Sequence, residues 1–131
     1  MIQPKTDDIL LSVPDYMPTL LGVMGMENKI PKVVEGKNYA DLFFDKPVNR
    51  PKKQLYFGVT KTDSKSDTRG FRTKNYTYAV VKDKEGEKFN YLYHDAKDPY
   101  QMKNIWGEDP SLDTKMETEL ANLLTSMNDP W

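Results

Sequence analysis

The sequence predicts an α+β fold: a small antiparallel β-sheet of three to four strands packed against a C-terminal α-helix, with an additional N-terminal helix. Two strand-type segments flank the turn sequence Asp83-Lys84-Glu85-Gly86 and predict a hairpin. A helical apolar stripe follows near the C-terminus. Because such a stripe needs a flat apolar surface to cover, we expect the sheet and this helix to form two layers.

The N-terminal helix is predicted over residues 12–25. Asp15 is a suitable cap, Pro18 is expected in the first turn, and Gly25 is expected to end the helix. Residues 26–53 are rich in proline and charge, so we expect an irregular connection with one helical turn at residues 39–44. The apolar surface of the helix would come from Leu20, Leu21, Val23 and Met24.

The sheet is predicted from three segments. Residues 54–61 have an apolar residue at every second position, which is typical of a strand, and residues 62–68 are expected to be a polar loop. Residues 71–82 form a second strand region and residues 87–94 a third, antiparallel to it. The alternating apolar residues of the first segment are Leu55, Phe57 and Val59.

The residues after the third segment predict a strand-to-helix corner. Asp98 is a good N-cap, and Pro99 fits the first helical position, where no N–H is needed. We expect one or two helical turns that carry Met102 and Ile105 inward. Gly107 would then close them in a left-handed conformation.

The C-terminal helix repeats the start signal, because Asp109-Pro110 again places a cap before a proline. Apolar residues then recur at three- and four-residue steps and predict one buried face. Burial of each large side chain is worth roughly 2 kcal/mol, so packing outweighs intrinsic helix propensity. The face consists of Leu112, Met116, Leu120, Leu123 and Met127.

Composition excludes several classes of function. A chain of 131 residues supports one domain with a real core. Its 19 Lys and Arg balance 20 Asp and Glu, so no net field attracts nucleic acid or an anionic membrane. No apolar run is long enough for a transmembrane helix. The absence of cysteine and the single histidine exclude thiolate chemistry and histidine-rich metal sites.

Residues 92–105 resemble the closing signature of the sulfatase family, L-Y-D-L-x-x-D-P-x-E-x-x-N-L. The matching residues are Leu92, Tyr93, Asp98, Pro99 and Asn104, with Ile105 as a mild replacement for leucine. The departing residues are His94, Asp95 and Gln101.

Three further blocks are similar to the family and occur in its order. Residues 12–25 resemble s-x-x-D-i-x-P-T-l-l-x-l-x-G, and residues 35–39 resemble d-G-x-s/d-y/l. Residues 71–78 resemble i-R-t-x-r-y-K-y, with Thr77 where a lysine is common. The resemblance implies that residues 1–48 are the tail of a sulfatase catalytic domain and that residues 49–131 are the C-terminal subdomain.

The resemblance implies an intact enzyme that hydrolyses sulfate esters. Family members use a formylglycine made in a C/S-x-P-x-R motif, a divalent metal (commonly calcium), and His and Lys around the sulfate. These groups lie upstream of the matched residues. We therefore expect a C-terminal fragment without catalytic or metal-binding residues, which supports the substrate cleft of the intact enzyme. The implied partner is the missing N-terminal catalytic domain, and the implied location is periplasmic or secreted.

Two residues are candidates for substrate binding. Arg72 matches the arginine of the family block and suits a bidentate clamp on a carboxylate or sulfate, although an ion pair with Asp95 or Asp98 also explains it. His94 either contacts the substrate at the domain junction or is a strand-end residue satisfied by local hydrogen bonds.

Other motifs have simpler structural explanations. Ser12-Val13-Pro14-Asp15-Tyr16 reads S-x-P, but Tyr16 stands where the formylglycine motif needs arginine, so we expect a helix start. Residues 49–53 are basic and suit either a sulfated glycan or a solvated linker. Asn75-Tyr76-Thr77 matches the N-glycosylation triplet. Trp106 and Trp131 are expected to pack rather than to stack on sugars.

Two alternative functions remain open. The aromatic strand face suits an independent module that binds a sulfated glycan or a protein. A small free-standing enzyme would use carboxylates such as Asp95 and Asp98. If the N-terminal helix is separated from its catalytic domain, we expect it either to cover the small sheet or to be buried in a homodimer.

Overall fold

The computed structural model describes residues 4–59 and 67–131, and the chain divides into two compact units, Met1–Gln54 and Leu55–Trp131. In the described residues, the first unit holds α1 (Val13–Val23) and two short 3₁₀ turns, Glu27–Lys29 and Ala40–Phe44. The sheet comprises β1 (Gln54–Val59), β2 (Asp67–Arg72), β3 (Tyr76–Lys82) and β4 (Lys88–His94), in the order β1-β2-β3-β4, and α2 (Pro110–Ser126) follows. The predicted α+β class, both helices and a four-stranded sheet are confirmed.

The start of α1 differs from the prediction. Ser12 stands at the N-cap, and Asp15 acts from within the first turn, where its carboxylate accepts the Ser12 N–H at 2.8 Å. Pro18 is therefore inside the helix and not in its first turn. Gly25 has a φ of 70° and ends the helix as predicted.

Side chains of α1 hold the following loop in place. Asp15 accepts the Lys37 N–H at 2.8 Å, and the Thr19 hydroxyl accepts the Tyr39 N–H at 3.0 Å. Both side chains are buried and engaged with backbone. The loop then enters the 3₁₀ turn Ala40–Phe44, which confirms the helical turn predicted at residues 39–44. These contacts explain why two of the recognised sequence blocks occur together.

The predicted second strand region, residues 71–82, is two strands. β2 and β3 pair antiparallel, with Phe71 opposite Tyr78, and β3 pairs antiparallel with β4. A tight turn separates β2 from β3, and the Thr73 hydroxyl closes it by accepting the Tyr76 N–H at 3.0 Å. The single-strand prediction was wrong because neither Gly nor Pro marks this turn.

The predicted first strand is only partly described. Its start matches β1, but its end and most of the polar loop predicted at residues 62–68 lie outside the described residues. The directions of the Phe57 and Val59 side chains lie outside them as well. Asp67 and Thr68 belong to β2, which corrects the loop prediction at those two positions.

The core lies between one face of the sheet and α2. Phe71, Tyr78 and Leu92 are fully buried from the sheet side. Trp106 stacks on Tyr78 with ring centroids 5.4 Å apart, and Trp131 packs against the same cluster, so both tryptophans pack as predicted. The buried residues contributed by α2 are Met116, Leu120 and Leu124.

The apolar stripe of α2 was predicted with two errors, since Leu124 was left out and Met127 was included. Asp109 caps the helix by accepting the Ser111 and Leu112 N–H groups, as expected. Leu124 is the buried residue that follows Leu120, because residues four apart share a helical face. Met127 instead follows the last helical residue and is 39% exposed.

The corner after β4 is a turn and not the predicted short helix. Gln101 adopts a φ of 54°, which breaks helical geometry. Asp98 still organises the segment, since its Oδ2 accepts the Lys103 N–H at 2.8 Å. Met102 is 84% exposed and does not point inward. Ile105 does pack against the core, as predicted.

Candidate functional site on the open face of the sheet

The sheet has a second face, opposite α2, which we call the open face. Strand register places Arg72, Thr77 and Tyr93 side by side on it, with Ala79 and Tyr91 as the next pair. A shallow depression of about 420 Å³ occupies this face. Its lining residues are Gly58, Thr68, Thr77, Ala79, Tyr91, Tyr93 and Gln101.

A polar cluster lies at one end of the depression; we call it the Asp95 cluster (Arg72, Thr77, Asp95 and Gln101). Asp95 is 7% exposed and accepts from the Thr77 hydroxyl at 2.8 Å and from the Gln101 amide at 2.9 Å. The same Gln101 amide nitrogen donates to the Thr77 hydroxyl at 3.1 Å. A buried carboxylate needs such donors to offset the cost of desolvation.

Arg72 completes this cluster. Its Nε lies 3.4 Å from Asp95 Oδ2, which confirms Asp95 as the ion-pair partner predicted from sequence. The Arg72 side chain is 41% exposed, whereas that of Asp95 is 5% exposed. The carboxylate therefore fixes the arginine at the rim of the depression, while part of the guanidinium remains accessible to solvent.

His94 lies on the other face of the sheet. Its ring packs on Tyr76 at a centroid distance of 4.7 Å, on the side that carries the core. Its Nδ1 is buried and has no hydrogen-bond partner among the described residues. The expectation that local hydrogen bonds satisfy His94 was therefore wrong at Nδ1, and ring packing holds it instead. The register thus separates the two predicted site residues, Arg72 and His94.

Matching residues of the sulfatase-like signature build the edge of the sheet. The Asn104 Oδ1 accepts the Leu92 N–H at 2.9 Å, and its Nδ2 donates to the Asn90 carbonyl at 3.0 Å. The Ile105 N–H donates to the Leu92 carbonyl at 2.8 Å. This segment therefore occupies hydrogen-bonding groups along β4 that a further strand would otherwise use.

Residues that depart from the family blocks gather elsewhere. Thr77 contacts Asp95 and Gln101 directly, although it lies 18 and 24 residues away from them in sequence. Asp95 and Gln101, six residues apart, also contact each other. Sequence reasoning proposed Asp95 as a partner of Arg72 and as a carboxylate of a small free-standing enzyme, and it missed the roles of Thr77 and Gln101. One signal in the sequence could have identified them: all three differ from the residues of the sulfatase-like blocks. Residues that differ from a pattern at several positions at once are candidates for contact in space.

The remaining basic and triplet motifs have structural partners. Arg50, from the basic segment, forms an ion pair with Asp7 at 2.7 Å. Asn75 is exposed, but the Thr77 hydroxyl of the same triplet is engaged in the Asp95 cluster. The Arg50 pair gives one charge of the basic segment at residues 49–53 a partner within the first unit.

The two carboxylates proposed for a small free-standing enzyme, Asp95 and Asp98, are both engaged in hydrogen bonds. Among residues 4–59 and 67–131, no three His, Cys, Asp or Glu side chains converge as metal binding requires. The Asp98 carboxylate accepts backbone N–H groups, chiefly that of Lys103, which lowers its pKa from the usual value. Asp95 is enclosed by its cluster partners. Within the same described ranges, no helix is long and apolar enough to cross a bilayer.

Comparison with known proteins agrees with this arrangement. An endo-4-O-sulfatase of Bacteroides thetaiotaomicron is 36% identical over an alignment 146 residues long. The alignment covers 99% of this chain and 28% of that enzyme. The crystal structure of a candidate sulfatase from Bacteroides fragilis superposes with a TM-score of 0.70 at 32% identity, covering 88% of this chain and 25% of that one. The chain thus spans about a quarter of the length of these relatives.

A further structure shares the fold. A protein solved with its substrate D-glucosamine-2-N,6-O-disulfate superposes with a TM-score of 0.69 at 20% identity, covering 88% of this chain and 24% of that one. Residues 2–129 match the family described as the C-terminal region of N-sulphoglucosamine sulphohydrolase. Since that match covers nearly the whole chain, this protein belongs to the N-sulphoglucosamine sulphohydrolase C-terminal family and represents the C-terminal region of a sulfatase.

Proposed function

We propose that this chain is the supporting C-terminal part of an enzyme that hydrolyses sulfate esters of a glycan. The family match over residues 2–129 is the observation that carries this proposal. The endo-4-O-sulfatase relative and the structural neighbour solved with a sulfated glucosamine favour a sulfated glycan as the substrate class.

The chemistry would come from the missing N-terminal catalytic domain. The sequence contains no C/S-x-P-x-R motif, so a formylglycine has no place in this chain. Its described residues do not fit a calcium site, because their carboxylates do not converge. Formylglycine and calcium would belong to the catalytic domain, and the whole enzyme would work in the periplasm or outside the cell.

The first unit supplies a surface for that domain. We assign residues 1–48 to the tail of the catalytic domain and residues 49–131 to the C-terminal subdomain. One side of α1 is apolar and exposed, with Leu20 at 59% and Met24 at 60%. Such a face is unusual on a free surface and suits a contact with the rest of the enzyme. The other exposed apolar residues of this face are Val13, Tyr16 and Met17.

Of the two residues predicted from sequence to bind substrate, Arg72 is the one that we expect to contact it. It lies at the rim of the depression, is partly exposed and is fixed by Asp95. His94 would act indirectly, by packing on Tyr76 and holding the end of β4 in position.

The test compares this chain with its longer gene product. The reading frame should be extended upstream of Met1, searched for C/S-x-P-x-R, and expressed in full. We expect sulfate release from a sulfated glycan by the full product. We expect no turnover of an aryl sulfate by the 131-residue chain with calcium. Turnover by the chain alone, or a full product that releases no sulfate from any tested glycan or aryl sulfate, would contradict the proposal.

A further inference from the structure

We propose that the depression on the open face binds one pyranose ring of the glycan through its hydroxyl groups and its apolar face, and not through a sulfate. The inference rests on the proposed function only in naming the glycan as the source of that ring. Three observations support it: the shape of the depression, the conformation of Gln101 and the charge balance of the Asp95 cluster.

The shape suits a flat ring. Gly58 and Ala79 contribute little or no side chain to the lining, while Tyr91 and Tyr93 stand two residues apart on the same strand face. Tyr91 is 37% exposed, so part of its ring is accessible to a ligand. The volume of about 420 Å³ lies within the range of about 300–1,000 Å³ found for small-ligand sites. Tyrosine rings offer an apolar surface with a polar tip, which matches the two sides of a sugar ring.

Gln101 brings a polar group to this depression. It holds a φ of 54°, a conformation that costs a residue with a Cβ and that often marks functional sites. Its amide N–H groups donate to Thr77 and Asp95, which fix the side chain. In the described part of the chain, its amide oxygen accepts no hydrogen bond. A fixed carbonyl oxygen beside an aromatic surface is an acceptor for a sugar hydroxyl.

The charge balance selects hydroxyl groups over a sulfate. The positive charge of Arg72 is offset by the buried Asp95 carboxylate, so the cluster carries no net charge. A neutral cluster with both donors and an acceptor matches the hydroxyl groups of a ring better than an anion.

The experiment titrates the 131-residue chain with oligosaccharides and follows backbone amide signals by NMR. Tetrasaccharides derived from chondroitin and from heparin are used in sulfated and chemically desulfated forms. At least one desulfated form should bind as tightly as its sulfated form within about threefold. Its affinity should change little with salt, since no counterions are released. The shifted signals should include Ala79, Tyr91 and Gln101.

Variants test the assigned residues. Tyr91→Ala should weaken binding by about tenfold or more, because it removes the ring that faces the sugar. Gln101→Ala should weaken it as well. Lys103→Gln is the matched control, since this exposed lysine of the same corner pairs with Glu108 and should leave the affinity within about twofold. Tyr91 is partly exposed, so Tyr91→Ala carries the test if Gln101→Ala fails to fold.

Three results would overturn the inference: binding that requires sulfate and disappears with salt, unchanged affinity in Tyr91→Ala, or no binding of any oligosaccharide. Sulfate release by the full-length product is measured separately. Release without oligosaccharide binding would defeat this inference alone, whereas binding without release would defeat the proposed function alone.

Discussion

At the scale of single residues, the side chain of Asn104 takes the place of a neighbouring strand. It accepts the N–H of Leu92 and donates to the carbonyl of Asn90. A side-chain amide carries its acceptor oxygen and its donor nitrogen on separate atoms, so it can make both hydrogen bonds at once. The asparagine of the sulfatase-like signature is therefore explained by backbone pairing and not by catalysis.

Replacing Asn104 tests this explanation. Asn104→Ala leaves the N–H of Leu92 without its acceptor and should lower the free energy of unfolding by roughly 1–3 kcal/mol. Asn104→Asp keeps an acceptor but loses the donor to Asn90, so its effect should be smaller. Urea unfolding measures both. Met102→Ala, at a fully solvated position of the same corner, is the control. Equal stability of Asn104→Ala and the wild type would contradict the explanation.

Two aspartates, Asp98 and Asp129, are expected to make the stability of the folded state depend on pH. Backbone N–H groups, that of Lys103 first, lower the pKa of Asp98, and the hydrogen bond from Arg69 lowers that of Asp129. A pKa lowered by folding stabilises the folded state above the unfolded value of about 3.9. That stabilisation is lost as pH falls through the lower folded value. We expect thermal stability to decline below about pH 4, and less steeply in Asp98→Asn and Asp129→Asn. Carboxyl NMR titration would reveal an error if either pKa were not lowered.

At the scale of elements, α1 is stabilised by close packing of its backbone against the backbone of the loop that follows it. Pro18 has no N–H, so the Pro14 carbonyl lacks its usual helical donor. Gly36 lies against this carbonyl, and a Cβ built at Gly36 would stand only 1.9 Å from the Pro14 oxygen. Glycine is therefore required at position 36, within the block at residues 35–39, because no side chain fits there.

Gly36→Ala should destabilise the first unit by roughly 1–3 kcal/mol, because the new methyl group displaces backbone that cannot move freely. Circular dichroism during thermal unfolding measures the change. Val33→Ala in the same loop should have little effect, since Val33 is 87% exposed. A Gly36→Ala protein as stable as the wild type would show that the loop moves away without cost.

The stripe of α2 offers a matched pair of neighbours. Leu124 is 7% exposed within the core, whereas Leu123 lies only at its margin. Leu124→Ala should cost about 2–5 kcal/mol through lost burial and an unfilled cavity. Leu123→Ala should cost clearly less. Denaturant unfolding of the two variants compares them directly, and the reverse order would favour the stripe predicted from sequence.

At the scale of the whole molecule, sequence reasoning was reliable where the signal is local. The Asp83 hairpin, the cap at Asp109 and the left-handed Gly107 follow from short-range rules and are confirmed. The Thr73 turn and the Asp95 cluster depend on which distant groups meet, and periodicity carries no such information. The turn at Gln101 is stabilised by tertiary hydrogen bonds to Thr77 and Asp95, which the local sequence does not reveal. Local signals alone therefore predicted a helix after Asp98.

The exposed side of α1 predicts how the isolated chain behaves in solution. We expect self-association that rises with concentration, because Leu20 and Met24 present apolar surface without a cover. The double variant Leu20→Glu, Met24→Lys should shift the chain toward monomer in light scattering. A similar change on the polar side of α2, Lys115→Glu, should not. A wild-type chain that stays monomeric at all concentrations would contradict this.

The Asn104 arrangement also bears on polymerisation. An uncovered strand is a template on which other chains add in register, the first step towards fibrils. Asn104 accepts the N–H of Leu92, and Ile105 donates to its carbonyl. A strand from another chain therefore cannot pair with β4 at Leu92. Loss of the Asn104 side chain should therefore make this chain more prone to form cross-β aggregates.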